Sequence, residues 1–259
     1  MIKLVTISVV SHGQIDLIVK LFDDIATYLS LDQLEVILTL NLPETLPFLE
    51  SDYAFLKMII RNQNPKGFGA NHNQAFSHAT GGFFCILNPD IRFNTDPFPV
   101  LLVSLNDLTV GVVAPLIFSA DEQLEDSARK FPTPFKIVCK ALGGCKGHDY
   151  VITEHAIQPD WIGGMFMLLP SKIFAQLAGF DEHYFLYYED VDLCARLRLL
   201  GYEIVLNPQA QVFHYAQRTS HANFKYFRWH LRSMLRFFVS SVYWRVQFKK
   251  SLFIVNKDE

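Results

Sequence analysis

Three carboxylates stand together where an aromatic run gives way to a predicted helix. Glu189, Asp190 and Asp192 follow directly after residues 184–188, a run of three tyrosines, one phenylalanine and one leucine. Carboxylates are favoured at a helix N-terminus because its free N–H groups and the helix dipole are positive there. Aromatic side chains exclude water, which raises the pKa of a neighbouring carboxyl group and suits it to accept a proton. The pattern therefore predicts a general base.

The same residues also fit a purely structural explanation. An acidic first turn caps a helix without any chemistry, and Asp192 and Arg196 have the i,i+4 spacing of an ion pair along a helix. The remaining sequence has to decide between the two explanations.

Strand and helix patterns alternate through the first 118 residues. Strands are predicted at LVTISVV, LEVILTL, FLKMII, FFCIL and VGVVAPLI, and helices between Gln14 and Leu29, at GANHNQAFSHA and near residues 96–106. This order predicts an α/β fold with a mostly parallel sheet. Ligands bind at the carboxyl ends of such strands. The polar residues that fall there are Ser11, His12, Asn41, Arg61, Asn62 and Asp90.

The second half of the chain is less regular. Residues 119–158 are rich in proline and glycine and predict a loop-rich insertion or lid. Order returns at DWIGGMFMLLP and continues through the acidic helix. The strand-like segments EIVLN and QVFHY follow, and then a long helix from about Asn223.

Two short motifs could bind a nucleotide diphosphate. Gly67 and Gly69 flank Phe68 before a helix, where free N–H groups could bind an anion and the backbone could approach a ligand closely. The dinucleotide fingerprint GxGxxG is absent, and an ordinary strand-to-helix turn is the simpler explanation. Asp90 ends an apolar strand and could hold Mg²⁺ against a diphosphate, although Asn88-Pro89 is also a plain turn signal.

His214 also follows a strand. A single histidine among aromatic residues is usually a packed core residue, but an imidazole can also bind a metal such as Mn²⁺.

Charge is distributed unevenly along the chain. Residues 204–257 contain nine Lys or Arg and no Asp or Glu, whereas the preceding 203 residues contain 14 basic and 24 acidic residues. Near the end, apolar side chains (Phe227, Leu231, Met234, Leu235, Phe238) and arginines (Arg228, Arg232, Arg236) repeat at helical spacing. This pattern favours contact with an anionic membrane surface. The alternative is a helix that packs on the main domain with its charges in water. Nucleic-acid binding is a third option, but the sequence contains no recognised nucleic-acid motif.

Taken together, these segments resemble the inverting GT-A-type glycosyltransferases of family 2, and among them the bacterial rhamnosyltransferases of O-antigen and cell-wall assembly. The matching segments cover nearly the whole chain: ISVVSHG, GFGANHN, ILNPDI, DWIGGMFML, GFDEHYFLYYEDVDLCARLRLLGY and VFHYAQ. RKFP at 129–132 and FRWHLRS at 227–233 strengthen the likeness. Two positions depart from the family's pattern. Asn88 occupies the position of the first acid in the family's DxD motif. After the second strand, LNLPET replaces the family's acidic DNxS-like segment, so that only Asn41 or Glu44 could take the role of its acidic residue.

The resemblance implies a GT-A fold, with a catalytic domain at residues 1–222 and a basic helical extension at 223–259. Within the domain, residues 1–118 would bind the nucleotide sugar and 119–222 the acceptor. The implied donor is dTDP-L-rhamnose, with a UDP-hexose as the alternative, and Mg²⁺ or Mn²⁺ would bind to Asp90 and His214. Asp190 is implied as the base, with Glu189 its rival. Donor contacts are assigned to Ser11, His12, Asn41, Arg61, Asn62, Gly67, Gly69, Asn73, Asn88 and Asp90, and acceptor contacts to Trp161, Gly163, Gly164 and Met165.

The implied acceptor is a polyprenyl-diphosphate-linked sugar, such as N-acetylglucosamine on undecaprenyl diphosphate. Four cysteines without CxxC spacing favour a reducing compartment, and no apolar run reaches the roughly 18 residues that span a bilayer. We therefore expect a cytoplasmic protein on the inner face of the cell membrane, attached through the C-terminal helix. Two rivals are a nucleotidyltransferase, which would need a glycine-rich basic loop that SVVSHGQ lacks, and a non-catalytic scaffold that binds glycan or lipid.

Overall fold

The computed structural model describes residues 4–144, 147–215 and 224–255. Its strands are β1 (Val5–Ser11), β2 (Leu34–Leu40), β3 (Leu56–Arg61), β4 (Phe83–Leu87), β5 (Ile91–Arg92), β6 (Val110–Ser119), β7 (Ala128–Arg129), β8 (Trp161–Ile162), β9 (Phe166–Pro170) and β10 (Glu203–His214). Its helices are α1 (Ile15–Tyr28), α2 (Phe68–Phe76), α3 (Phe98–Ser104), α4 (Pro134–Ala141), α5 (Ser171–Gln176), α6 (Glu189–Leu199), α7 (Phe224–Val239) and α8 (Ser241–Val255).

Within the described residues, eight strands form the main sheet, in the order β3-β2-β1-β4-β9-β6-β10-β5. β1 pairs in parallel with β2 and β4, so that Ile7 lies between Val36 and Cys85. β9 is antiparallel to β4 and β6, and β5 is antiparallel to β10. The prediction of a mostly parallel α/β sheet is confirmed. Strands buried on both faces read as continuous apolar runs, which explains why β2 and β4 were visible in the sequence.

Helices cover both faces of the sheet. α1 and α3 bury Ile18, Phe22 and Leu101 in one apolar layer. Helices α2, α5 and α6 cover the other face, where Phe174 and Leu193 are fully buried. This arrangement leaves the carboxyl ends of β1, β2 and β4 at one edge of the sheet.

β10 joins the two segments EIVLN and QVFHY into one strand, where the sequence suggested two. Its register against β6 shifts between Asn207 and Gln211. Pro208 lies in this interval, and proline has no N–H to donate to a sheet. The irregularity therefore coincides with the apparent gap between the two patterns.

The C-terminal region was expected to be one helix from about Asn223, a residue outside the described part of the chain. The structure instead has two helices that meet at Ser240. The Ser240 hydroxyl donates to the carbonyl of Phe237 (2.7 Å) and accepts from the amide of Tyr243 (3.1 Å). Both helices pack on the rest of the protein, because Phe237, Tyr243 and Val246 are buried. The described part of the chain has no helix long and apolar enough to cross a bilayer.

The insertion at 119–158 contains a helix that the sequence pattern did not predict. Thr133 caps α4 by accepting from the amide of Lys136 (3.2 Å), and Pro134 occupies its first turn. β7 pairs with β8, so that Arg129 lies opposite Trp161. Cys139 in α4 is disulfide-bonded, which goes against the reducing compartment that the cysteine spacing favoured, whereas Cys85 and Cys194 are free and buried.

Candidate active site

The acidic pair lies at the first turn of α6. Oδ2 of Asp190 accepts a hydrogen bond from the amide of Gly164 (3.0 Å), and Oδ1 accepts from the amide of Val191 (2.8 Å). Glu189 is only 5 % exposed, and its Oε2 has no hydrogen-bond partner among the residues that the structure describes. The two neighbours therefore differ: both oxygens of Asp190 accept from backbone N–H groups, whereas one oxygen of the buried Glu189 carboxyl group has no partner among the described residues.

The electrostatic surroundings of the pair separate the two acids further. Burial raises the pKa of Glu189 well above its usual value, and the charge of Asp190 adds to this effect. Burial also raises the pKa of Asp190, but the N–H groups of Gly164 and Val191 and the charge of Arg129 counteract it. The negative charge of the pair is therefore better stabilised on Asp190.

The backbone just before the pair is strained. Tyr187 and Tyr188 adopt φ angles of 68° and 69°, in the left-handed region that bulky residues avoid. Such conformations cost about 1–3 kcal/mol each and persist only where surrounding contacts hold them. We call residues 179–188 the acidic loop. Its fixed shape sets the direction in which Glu189 and Asp190 enter α6.

Contacts from three helices hold the acidic loop. Asn73 of α2 donates to the carbonyl of Phe180 (2.9 Å) and accepts from its amide (2.8 Å). Arg196 of α6 donates to the carbonyl of Gly179 (2.9 Å). Ser233 of α7 donates to the carbonyl of Leu186 (2.9 Å). The loop is thus fixed by residues far from it in sequence.

Asp192 belongs to this support. It is buried and pairs with Arg196 at 2.7 Å, the i,i+4 ion pair that the spacing predicted. The structural explanation therefore holds for Asp192.

A cavity of about 400 Å³ opens at the carboxyl ends of β1, β2 and β4, and we call it the strand-end cavity. Four predicted donor residues line it: His12, Asn41, Asn88 and Asp90. Asn62 lies behind Asn41 and donates to its side-chain oxygen at 2.9 Å. Of the six polar residues that the sequence places at strand ends, His12, Asn41 and Asp90 therefore line this cavity and Asn62 lies directly behind it.

The other predicted donor residues lie away from the wall of this cavity. Ser11 is buried and donates to Glu44 (2.9 Å), and Arg61 is exposed and lies 3.6 Å from Glu50. A Cβ atom on Gly67 would come within 2.7 Å of the carbonyl oxygen of Phe185, and one on Gly69 within 2.6 Å of Phe180. With Asn73, these glycines contact the acidic loop, so close packing explains the GFG motif.

Asp90 and His214 are brought together, as the sequence suggested. Nε2 of His214 lies 3.2 Å from Oδ2 of Asp90, and Nδ1 lies 2.8 Å from Oε2 of Glu125. Burial lowers the pKa of His214, but hydrogen bonds to the two carboxylates outweigh it and raise the pKa to about 9. Oδ1 of Asp90 is buried and has no hydrogen-bond partner in the described residues. Those residues hold no cluster of three or more His, Cys, Asp or Glu side chains suited to a metal.

A second cavity of about 340 Å³ contains the acidic pair, and we call it the acid cavity. Trp161 lines it, together with Arg129 and His230. Gly164 lies between the two cavities: a Cβ atom there would be 3.4 Å from Phe68 of the strand-end cavity and 3.6 Å from the Cβ of Asp190. Met165 continues this link, because its carbonyl accepts from the amide of Asn88 (2.9 Å). Gly163 contacts the end of the Met165 side chain.

Sequence reasoning did not assign several residues of these walls. α7 contributes Tyr226 and Trp229 to the strand-end cavity and His230 to the acid cavity. Trp229 packs on Phe185 with ring centroids 4.6 Å apart. α4 contributes Lys136 and Lys140 to the acid cavity. The Thr133-Pro134 helix start was the available signal for α4.

The architecture is that of the GT-A glycosyltransferases. A crystal structure of GalNAc-T7 with UDP, GalNAc and Mn²⁺ aligns with 91% of this chain and 47% of that chain, at a TM-score of 0.67 and 14% identity. The mannosyltransferase PcManGT from Pyrobaculum calidifontis, in complex with GDP-Man and Mn²⁺, aligns with 84% of this chain and 59% of its own, at a TM-score of 0.61 and 20% identity. These likenesses establish the fold.

Sequence comparison then gives the family. Residues 6–162 match the model of glycosyl transferase family 2, and the chain belongs to this family of enzymes. It is 30% identical to the rhamnosyltransferase WbbL of Escherichia coli K12 over 90% of this chain and 92% of that protein. It is also 30% identical to the N-acetylglucosaminyl-diphospho-decaprenol L-rhamnosyltransferase of Mycobacterium tuberculosis, over 50% of this chain and 46% of that protein. The chain thus matches about half the length of the mycobacterial relative.

Proposed function

We propose that this glycosyltransferase moves L-rhamnose from dTDP-L-rhamnose, with inversion, onto a polyprenyl-diphosphate-linked sugar such as N-acetylglucosamine on undecaprenyl diphosphate. The product would enter O-antigen or related polysaccharide synthesis. The names of the two relatives support the sugar and the acceptor class. The observation that carries the proposal is Asp190, held by the amide of Gly164 in a cavity beside the strand-end cavity.

In this mechanism Asp190 accepts the proton of the acceptor hydroxyl as the oxygen attacks the anomeric carbon of the donor. The bond from that carbon to the nucleotide diphosphate breaks on the opposite face, which inverts the configuration. General base catalysis of this kind contributes about 10²–10⁴ in rate. Glu189 would bind its proton more tightly, because it is buried beside the charge of Asp190 and its Oε2 has no partner in the described residues, so the negative charge of the pair would stay on Asp190.

The donor would occupy the strand-end cavity, with Asn41 and His12 near the nucleoside and Asp90 near the diphosphate. Asp90 and His214 would hold Mg²⁺ or Mn²⁺, and the imidazole would release its proton when the cation binds. Oδ1 of Asp90 is buried without a partner in the described residues, and Nε2 of His214 lies 3.2 Å from Oδ2 of the same carboxylate. Such a cation stabilises the negative charge of the leaving diphosphate. Glu125 would fix the orientation of His214 through Nδ1, as carboxylates do for metal-binding histidines.

The acceptor sugar would lie on Trp161, beside Gly163, Gly164 and Met165. Its lipid requires the enzyme to work at a membrane surface, and α7 offers a suitable face. Exposed apolar side chains (Phe224, Phe227, Leu231, Leu235, Val239) line this helix among exposed cations (Lys225, Arg228, Arg232). Met234 and Phe238, which the sequence grouped with this face, pack toward the core instead. We propose that the enzyme attaches peripherally to the membrane surface through α7.

A transfer assay with radiolabelled dTDP-L-rhamnose and a short-chain GlcNAc-diphospho-lipid tests this function. We expect product with wild-type protein, a loss of about 10²–10⁴ in turnover for Asp190→Asn, and retained donor binding. A thermal-shift panel of nucleotide sugars, with and without divalent cation, checks the donor, because a bound ligand raises the apparent melting temperature. Stabilisation by UDP-hexoses and not by dTDP-L-rhamnose would refute the donor assignment. Full activity of a folded Asp190→Asn variant would refute the role of this base.

A further inference from the structure

Apart from the acidic pair, the charged side chains that line the acid cavity are mostly basic. Arg129, Lys130, Lys136 and Lys140 all line it, together with a single further acid, Asp149. A general base needs none of these cations, and a neutral sugar acceptor needs none either. The positive charge of these side chains therefore indicates that part of the ligand is anionic.

Two of the four cations have partners that fix them in place. Lys136 pairs with Asp149, and Arg129 lies 2.9 Å from Asp126. Arg129 also lies over the ring of Trp161, at 5.6 Å from its centroid, and its charge lowers the pKa of Asp190. These two cations belong to the framework of the cavity.

The other two cations are available to a ligand. Lys130 and Lys140 are exposed, and neither forms an ion pair within the described part of the chain. The ammonium group of Lys130 lies 5.9 Å from the centroid of the Tyr150 ring. Lys140 interacts with Asp149 through charge alone, without a hydrogen bond to it. Two ammonium groups that form no ion pair in the described residues match the two negative charges of a diphosphate diester.

The backbone that carries Lys130 is held firmly. The amide of Lys130 donates to Asp149 (3.0 Å), and its carbonyl accepts from the indole of Trp161 (3.1 Å). The amide of Phe131 donates to Asp160 (2.8 Å). The RKFP segment is thus fixed against the tryptophan on which the acceptor sugar is proposed to lie.

The outer face of α4 is apolar. Phe135, Val138 and Leu142 are 81 %, 57 % and 83 % exposed and share one side of the helix, whereas Lys136 and Lys140 point to the cavity side. In a lipid-linked sugar, the diphosphate stands between the sugar and the hydrocarbon chain. A base, a sugar-binding tryptophan, two free cations and an exposed apolar face occur here together.

We propose that Lys130 and Lys140 form the subsite for the diphosphate of a lipid-linked acceptor, and that the apolar face of α4 lies against the lipid surface from which the acceptor comes. This inference rests on the proposed function, since it takes the ligand of the acid cavity to be a lipid-linked sugar. It adds the residues that would recognise the acceptor's charged group.

Farnesyl diphosphate is a suitable probe, and its binding is measured by Trp fluorescence without divalent cation. We expect Lys130→Gln/Lys140→Gln to weaken binding at least about tenfold, because charged hydrogen bonds are lost. Lys130→Arg/Lys140→Arg should keep most of the affinity. Lys20→Gln, at an exposed lysine on α1, is the matched control and should bind as the wild type does.

Equal binding by the wild type and the double Gln variant would overturn the proposal, as would equal affinity for farnesol. If pyrophosphate bound as tightly as farnesyl diphosphate, the assignment of this subsite to a lipid-linked diphosphate would be overturned. The assay also separates the two proposals. Lysine-dependent binding without any sugar transfer would reject the proposed function and keep the subsite. Transfer with an unchanged acceptor KM in the double Gln variant would keep the function and reject the subsite.

Discussion

The amide of Gly164 donates to Oδ2 of Asp190 over 3.0 Å, and the backbone of the next residue, Met165, accepts from the amide of Asn88 over 2.9 Å. One short backbone segment therefore touches the acid cavity on one side and the end of β4 on the other. This segment fixes Asp190, the proposed base, relative to Asn88, which lies two positions before Asp90. Reaction between two bound substrates needs such a fixed relation between their sites.

Gly164→Ala should reduce turnover while the protein stays folded. The added Cβ would make ordinary van der Waals contacts, at 3.4 Å from Phe68 and 3.6 Å from Asp190, and the residue has no positive φ. It would nevertheless narrow the space where the two cavities meet. We expect kcat to fall at least about tenfold, since small displacements of reacting groups are costly. Steady-state kinetics and the melting temperature measure the two effects.

Gly82→Ala is the control for this substitution. Gly82 is exposed, remote from both cavities, and a Cβ there would meet only the carbonyl of Leu4 at 3.9 Å. Unchanged kcat in Gly164→Ala would show that the reaction does not need the space beside Gly164, where the two cavities meet.

Glu189→Gln should stabilise the protein increasingly as the pH rises. Burial raises the pKa of Glu189 in the folded state above its unfolded value of 4.5, so the native protein binds this proton more tightly. Stability is therefore lost as the pH rises from the unfolded pKa through the folded one. Glutamine does not titrate, so the variant does not lose this stability. The melting temperature of Glu189→Gln should therefore rise relative to that of the wild type as the pH increases above about 4.5.

Thermal unfolding measured from pH 4 to pH 9 checks this prediction, with Glu154→Gln as control because Glu154 is highly exposed. A difference between Glu189→Gln and wild type that stays constant with pH would contradict the raised pKa.

Asn73→Ala should loosen the acidic loop. The substitution removes both hydrogen bonds to Phe180 and one to Glu182 (3.0 Å). We expect a loss of about 1–3 kcal/mol in the free energy of unfolding, because backbone groups of Phe180 lose their partners. Turnover should fall more than donor affinity does, since the loop positions Asp190. Urea denaturation and kinetics measure these quantities.

Ser77→Ala is the matched control, because the Ser77 hydroxyl donates to the carbonyl of Gln74 in its own helical region. Equal losses in both variants would mean that the Asn73 contact has no special role.

Replacing exposed apolar residues of α7 should weaken membrane association without unfolding the protein. Removing the whole helix is a poor test, because Phe237 is buried in the core. We expect Phe227→Ser/Leu235→Ser/Val239→Ser to bind anionic vesicles at least about tenfold more weakly, because three apolar side chains no longer enter the lipid. Vesicle co-sedimentation measures the binding.

The control for α7 uses Leu49→Ser/Val103→Ser/Leu108→Ser, which removes equally exposed apolar side chains from other parts of the surface. Equal loss in both triple variants would count against α7 as the membrane contact.

Local sequence patterns predicted the sheet well because its central strands are buried on both faces. β4 matches the predicted FFCIL segment residue for residue, and β2 matches LEVILTL. The same reasoning missed the break at Ser240, because serine is not a strong helix breaker and acts here through two local hydrogen bonds. It also missed α4, which has only eight residues.

Local patterns drew attention to individual residues of the candidate site, and not to the contacts that hold them. Asp190, Asp90 and His214 stood out because each follows a strand or opens a helix. The contact between Asn73 and Phe180 joins positions 107 residues apart, and nothing in either local pattern indicates it. Likewise, Gly67 is typical of a phosphate-binding turn, yet its missing side chain makes room for the backbone of Phe185.

Ser233 and Trp229 complete the support of the acidic loop, and both come late in the chain. A ribosome therefore exposes Asp190 before the helix that stabilises its strained neighbours has been synthesised. We expect nascent chains that end before α7 to consume no nucleotide sugar, because their base has no fixed direction. Enzymatic competence would then arise only after α7 has been synthesised and has packed against the acidic loop.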